Sequence, residues 1–143
     1  MFIIRTPNTE KEWEDYYDLR YRILRLPLGQ PLGSERNEGD STGKHFALYL
    51  NGQLNAIARL DQPEKYTSQV RFVAVESNTQ GKGFGKEIMT AVENFSKKSG
   101  NRKMILQARE NALDFYLKLD YKLIEKSYLL FGQVQHYLMK KEY

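Results

Sequence analysis

Gly81, Gly83 and Gly85, interleaved with Lys82 and Phe84 and followed by Lys86, fall directly after the apolar run Val73-Ala74-Val75. Phe84, Ile88, Val92 and Phe95 then recur at i, i+4, i+8 and i+11, the spacing of an amphipathic helix. The segment therefore reads as strand, short loop and glycine-rich helix entry. Three glycines in five residues let the backbone approach a ligand closely, and the free N–H groups of a helix N-terminus form an anion site. A diphosphate suits such a site. The Walker A loop is excluded, because it needs four residues between Gly and Gly-Lys and a Ser or Thr after the Lys, whereas Lys86 precedes Glu87. The dinucleotide fingerprint G-x-G-x-x-G is excluded by the spacing G-x-G-x-G.

The elements that must position this segment follow from pattern and punctuation. Thr9 with Glu12 three residues later is a capping box that opens a helix running to Leu24. Trp13, Tyr16, Tyr17, Arg20, Ile23 and Leu24 lie along one side of it, as core residues do. Pro27 to Gly43 holds four further Gly or Pro positions in polar filler, which predicts a long loop with one helical turn. A loop of that length suits the wall of a substrate site, and Glu35, Glu38 and Asp40 would make that wall favour a cationic acceptor. Asn51-Gly52 between extended runs predicts a hairpin of strands 45–50 and 53–60. Further strands are expected at 69–75 and 103–107, with extended segments at 121–125 and 128–140 around a turn near Gly132, and helices from Phe84 to Ser99 and from Asn111 to Leu119. With the short apolar run Phe2 to Arg5 as the first extended segment, the order is β-α-β-β-β-α-β-α-β-β, without an internal repeat.

The 143 residues suffice for one domain spanning 1–143. A 41% hydrophobic and 28% charged composition matches a folded globular chain. No apolar run approaches a membrane span and the N-terminus lacks a signal-peptide pattern, so a cytoplasmic location without membrane attachment is expected. With no Cys and two His, no metal site, disulfide or cysteine nucleophile is expected. Residues 1–75 carry 10 Lys/Arg against 10 Asp/Glu, so the whole net charge of +4 lies in the second half. That half lacks the dense basic-aromatic cluster of a nucleic-acid binder, and a small anionic ligand is the preferred reading over nucleic acid.

Gln80-Gly81-Lys82-Gly83-Phe84-Gly85 resembles the Gln/Arg-x-x-Gly-x-Gly/Ala acetyl-CoA signature of the GNAT N-acetyltransferases. Asn111-Ala-Leu-Asp-Phe115-Tyr116-Leu-Lys-Leu-Asp120-Tyr121, thirty residues on, is similar to the family's second cofactor segment. The tail Gly132-Gln-Val-Gln-His136-Tyr-Leu-Met139 resembles the ElaA-like branch. The resemblance implies an α+β fold whose mixed, mostly antiparallel sheet of six to seven strands is flanked by helices and splayed between the strands at 69–75 and 103–107. It implies acetyl-CoA as co-substrate, with the pantetheine lying in the splay along the main chain of Val73, Ala74 and Val75. A main-chain N–H there would polarise the thioester carbonyl. The N–H groups of Gln80 to Gly85, with Lys86 nearby, would hold the pyrophosphate, Asn111 would bond the pantetheine and Phe115 would pack beside it. Tyr116 matches the general acid, since a phenol with a pKa near ~10 can protonate a departing thiolate.

The implied activity is N-acetylation of a primary amine, on a small molecule or a peptide, by direct attack in a ternary complex. A CoA-binding sensor or structural module without efficient transfer is the alternative, because the general base is open. No acidic residue falls within 69–75, where some relatives carry Glu. Glu38, Asp40, His45, Glu76, His136 and a water chain are the candidates. Asp120-Tyr121 replaces the usual Gly-Phe, which predicts a strained turn, and Ser77 stands where many members have Pro. An exposed edge strand near the C-terminus leaves room for a homodimer.

Overall fold

The computed structural model describes residues 1–143. Its seven strands are β1 (Phe2–Arg5), β2 (Lys44–Leu50), β3 (Gln53–Glu64), β4 (Thr67–Val75), β5 (Lys103–Arg109), β6 (Lys122–Leu130) and β7 (Val134–Glu142). They form one sheet in the order β1-β2-β3-β4-β5-β7-β6. Every pairing is antiparallel except β4 with β5. Three helices complete the chain: α1 (Glu10–Leu24), α2 (Phe84–Lys98) and α3 (Leu113–Lys118). Helix α2 is the crossover that a parallel pair requires.

The central strands are buried on both faces, so they read as near-continuous apolar runs. On one face Phe46, Leu48, Ala58 and Leu60 pack with Phe84, Ile88, Met89 and Val92 of α2. On the other, Ala47, Tyr49, Ile57 and Ala74 pack with Tyr16, Leu19 and Leu24 of α1. Each fully buried Leu, Ile, Val or Met side chain here contributes about 1.5–3 kcal/mol, and each alanine methyl less. Thr9 caps α1 as its sequence predicts, with its side chain accepting from the Glu12 N–H and Glu12 answering to the Thr9 N–H.

Several boundaries differ from the sequence expectation. Strand β3 continues to Glu64 and β4 begins at Thr67, joined by a tight turn in which Tyr66 has φ +66°. That turn contains neither Gly nor Asn, so it leaves no local signal. Strand β6 reaches Leu130 and is exposed along nearly its whole length. It is one of the two edge strands and both its faces are open to solvent, so no face of it must be apolar and its periodicity is weak. The loop at 27–43 holds one 3₁₀ turn at Glu38–Ser41, and another, Leu26–Leu28, leads into it. The expected helix at 111–119 divides into a 3₁₀ turn, Glu110–Ala112, and α3.

Asp120 takes the left-handed conformation, with φ +71°, as the missing glycine predicts. Asp120→Gly is expected to stabilise the fold by about 0.5–1 kcal/mol, because the gain from relieved strain exceeds the added unfolded-state entropy. A urea midpoint that fell instead of rising would show that Asp120 is unstrained.

Candidate active site

Strands β4 and β5 pair at only three positions, Thr67↔Lys103, Ser68↔Met104 and Gln69↔Ile105. Beyond Gln69 the two strands part. The register explains why: Ile57↔Ala74 is followed by Arg59↔Arg71, so β4 advances three residues while β3 advances two. The extra residue is a β-bulge, which bends its strand and ends pairing on the far side. At its centre Phe72 has φ +56°, a costly conformation for a bulky side chain. Four guanidiniums surround its ring, those of Arg20 at 4.3 Å, Arg59 at 5.0 Å, Arg71 at 5.3 Å and Arg25 at 5.6 Å. These cation–π contacts hold the strained residue.

The parting strands open a cavity of about 520 Å³, walled in part by Val73, Leu106, Ala108, Tyr116, Tyr128 and His136. Tyr116 is buried, and burial alone pushes its phenol pKa up. It is therefore a proton carrier at neutral pH. His136 stacks on Tyr128 at a centroid distance of 4.5 Å. Its Nδ1 lies 3.0 Å from the Val134 carbonyl. A carbonyl only accepts, so Nδ1 carries the proton in the neutral ring and Nε2 keeps a lone pair. Burial, together with Arg109 and Arg25, lowers the His136 pKa below the usual histidine value, which keeps that lone pair available.

The glycine segment meets the second motif at one point. A side chain on Gly85 would come within 3.1 Å of the Phe115 ring and 3.6 Å of Val75 Cγ2. Gly85 thus lets three sequence-distant segments close on one another. Gly83 precedes α2 with φ +86° and offers no side-chain cap. The N–H groups of Phe84, Gly85 and Lys86 find no carbonyl partner in the chain. The Phe84 side chain faces the core, and its ring meets Phe2 edge-on at 6.4 Å. Gln80 donates from its side chain to the Val75 carbonyl at 3.1 Å, while Gly81, Lys82, Lys86 and Asn111 are exposed. The Ala74 side chain turns away, into the α1 face. Of the residues expected to contact cofactor, Val73 and Tyr116 line the cavity, and Val75, Gly85 and Phe115 form the adjoining cradle.

The candidate bases separate sharply. His45 bonds Tyr16 Oη through Nδ1 at 2.7 Å and the Asp40 carbonyl through Nε2 at 2.8 Å, so neither nitrogen is available. Glu76 accepts both terminal nitrogens of Arg22, at 2.9 and 3.0 Å, and these bonds hold its pKa below the ordinary carboxylate value. Asp40 receives Arg20 and Arg59, each at 2.8 Å. Burial pushes its carboxyl up, but the bonds from Arg20 and Arg59 outweigh this and its pKa falls. Glu38 is exposed. None of these four lines the cavity, and His136 does.

The expected acidic acceptor wall is corrected by the same contacts. Glu35 is buried against the Gly33 N–H and Arg36, and Asp40 is consumed by two fully buried arginines. Glu35 and Asp40 hold the loop down instead of facing a ligand, and Glu38 is exposed outside the cavity wall. The residues that sequence reasoning missed are Arg25, Arg71, Arg109 and Tyr128, all in the cavity wall. They come from four different elements, and no local pattern joins them.

The family model described as "Acetyltransferase (GNAT) domain" matches residues 31–143. The chain belongs to the GNAT acetyltransferase family. The uncharacterized N-acetyltransferase YjcF of Bacillus subtilis (strain 168) is 23% identical to this GNAT chain over 133 residues, covering 93% of it and 94% of YjcF. The crystal structure of Escherichia coli ElaA has a TM-score of 0.83 at 16% identity, over 99% of each chain. A Bacillus subtilis acetyltransferase in complex with CoA has a TM-score of 0.79 at 16% identity, over 100% of this chain and 99% of that one. Those two likenesses establish the GNAT fold. No helix of this GNAT chain is long and apolar enough to cross a membrane.

Proposed function

We propose that the protein moves an acetyl group from acetyl-CoA to a primary amine by direct attack in a ternary complex. The observation that carries this reading is the gap between β4 and β5, which opens beside Tyr116 and His136 and adjoins the cradle of Val75, Gly85 and Phe115. The unpaired edge of β4 from Val73 to Val75 offers main-chain groups to a pantetheine arm as a neighbouring strand would. One N–H on this edge polarises the thioester carbonyl. The uncapped N–H groups at the start of α2, with Lys82 and Lys86 close in sequence, suit a diphosphate. Asn111 bonds the pantetheine, and Phe115 covers it at the helix entry.

Two proton transfers complete the reaction. An amine with a pKa near ~10 must lose a proton before it can attack, and His136 Nε2 takes it. The departing sulfur gains a proton from Tyr116. The groups packed around His136 are Arg109 on β5, Arg25 at the end of α1 and Tyr128 on β6. None is acidic, so the imidazole stays neutral to a lower pH than usual.

Calorimetric titration with acetyl-CoA, CoA and ATP, followed by thiol release against a panel of amines, tests the reading. Micromolar acetyl-CoA binding with amine-dependent release supports transfer. Binding without release favours a sensor, and absence of CoA binding overturns the assignment. His136→Gln is expected to lower kcat about 100-fold and to erase the acid limb of the kcat profile. That limb lies below pH ~6.5, because a base with a lowered pKa is lost only as pH falls through that lowered value. An acid limb that survives the substitution assigns the base elsewhere.

A further inference from the structure

Five of the nine arginines are paired with carboxylates: Arg5 with Glu12, Arg20 with Asp40, Arg22 with Asp18 and Glu76, Arg36 with Glu35, and Arg59 with Asp40 and Asp61. Four are not. One of these, Arg102, is exposed and lies over Tyr66. The other three, Arg25, Arg71 and Arg109, are half-buried and line the cavity, and no Asp or Glu lines it with them. A chain that matches its other inward-facing guanidiniums with carboxylates leaves three unmatched at a single wall.

Their arrangement is built, not incidental. The Leu24 carbonyl at the end of α1 accepts from Arg25 at 3.1 Å and from Arg109 at 2.7 Å, so one oxygen holds two like charges side by side. The C-terminal end of a helix favours cations. Arg25 is further fixed through Nε to the Ser34 carbonyl at 3.2 Å. This leaves one terminal nitrogen of Arg25, and both Nε and one terminal nitrogen of Arg109, with donors free. The Arg71 guanidinium makes no hydrogen bond or ion pair in the chain, touches only the Phe72 ring and adds a third fork. Burial, and for Arg25 the charge of Arg109, pushes the pKa of both tethered arginines down, and no carboxylate offsets it.

We propose that the acceptor is a small amine carrying an oxyacid anion, a carboxylate or a phosphate monoester, received by Arg25, Arg109 and Arg71. Planar guanidinium forks match such oxygens bidentately. With the anion on this wall, the amine lies in the same cavity as His136 and Tyr116. This inference rests on the transferase reading above and names the substrate class of that site.

The test pairs each anionic amine with its neutral counterpart: amino acids against their amides, and aminoalkyl phosphates against the amino alcohols. Thiol release is measured for both arms, and binding of each compound to the CoA-loaded protein is measured by calorimetry. The anionic member of a pair is expected to have kcat/KM at least about 100-fold higher, since hydrogen bonds to charged groups are each worth about 10- to 100-fold. The arm that shows the preference distinguishes carboxylate from phosphate. Arg71→Gln, at a guanidinium with no hydrogen bond to the fold and one of four around Phe72, and Arg109→Gln should each shrink the preference about 10-fold or more while leaving acetyl-CoA affinity unchanged. Equal response to both members, including none to either, overturns the inference while acetyl-CoA binding stands. Loss of acetyl-CoA binding in the unaltered protein overturns the transferase reading itself.

Discussion

Tyr116→Phe is expected to lower kcat about 100-fold, the lower end of the range for general acid catalysis, with acetyl-CoA affinity unchanged. The magnitude follows from the leaving group. A thiol resembling cysteine titrates near ~8.5, so a thiolate can depart unaided at neutral pH, though less readily than a thiol. The ring itself is retained in the variant, and with it the edge-on contacts to Phe115 at 4.9 Å and Tyr121 at 5.8 Å. The fold and the cradle around Gly85 should therefore survive. Single-turnover thiol release, which isolates chemistry from product release, is the measurement. An unchanged rate would remove Tyr116 as the acid and leave solvent in that role.

Asp40→Ala is expected to cost about 3–5 kcal/mol of stability, because it strands two buried guanidiniums. For a chain of this size that lowers Tm by about 10–15 °C. Arg59 keeps Asp61 and Asn37 as partners, but the only carboxylate bonded to Arg20 is Asp40, and Arg20 already has a buried, unpaired Nε. The pH dependence has a fixed sign. The folded-state pKa of Asp40 is lowered, so its contribution is present above the unfolded value near ~3.9 and fades as pH falls through the folded value. Urea unfolding at pH 7 should separate the two proteins widely, and unfolding below pH ~4 should bring them together. A loss under about 1 kcal/mol at pH 7, the size of an exposed pair, would mean that the pair is not effectively buried.

The legible parts of this protein were the local ones. Asn51-Gly52 announces its hairpin because the turn itself needs positive φ at both residues, which the structure has at +50° and +81°. Thr9 and Glu12 announce a helix start because both partners lie within four residues. The glycine segment and Phe115-Tyr116 carried enough spacing to point at a family that the whole-chain fold bears out. The turn at Lys65-Tyr66 was invisible because Tyr66 holds positive φ without the residues that favour it, and Phe72 in its bulge is hidden for the same reason. The cationic wall was invisible for a different reason. Arg25, Arg71 and Arg109 are separated by 38 residues or more in sequence, and only the α1 terminus, the β4 bulge and the end of β5 bring them together. The acidic loop misled in the opposite direction, since the partners that neutralise Asp40 are an arginine on α1 and another on β3.

The three rungs that join β4 to β5 have a mechanical consequence. They lie at one end of the junction, reinforced there by Ser68 with Ser96 and by Gln62 with Asn101. At the other end the strands stand apart. The sheet is therefore two plates on a clasp, β1 to β4 on one side and β5, β7 and β6 on the other. A ligand seated along the open edge would act as a keystone, joining the two plates where no main-chain hydrogen bond does.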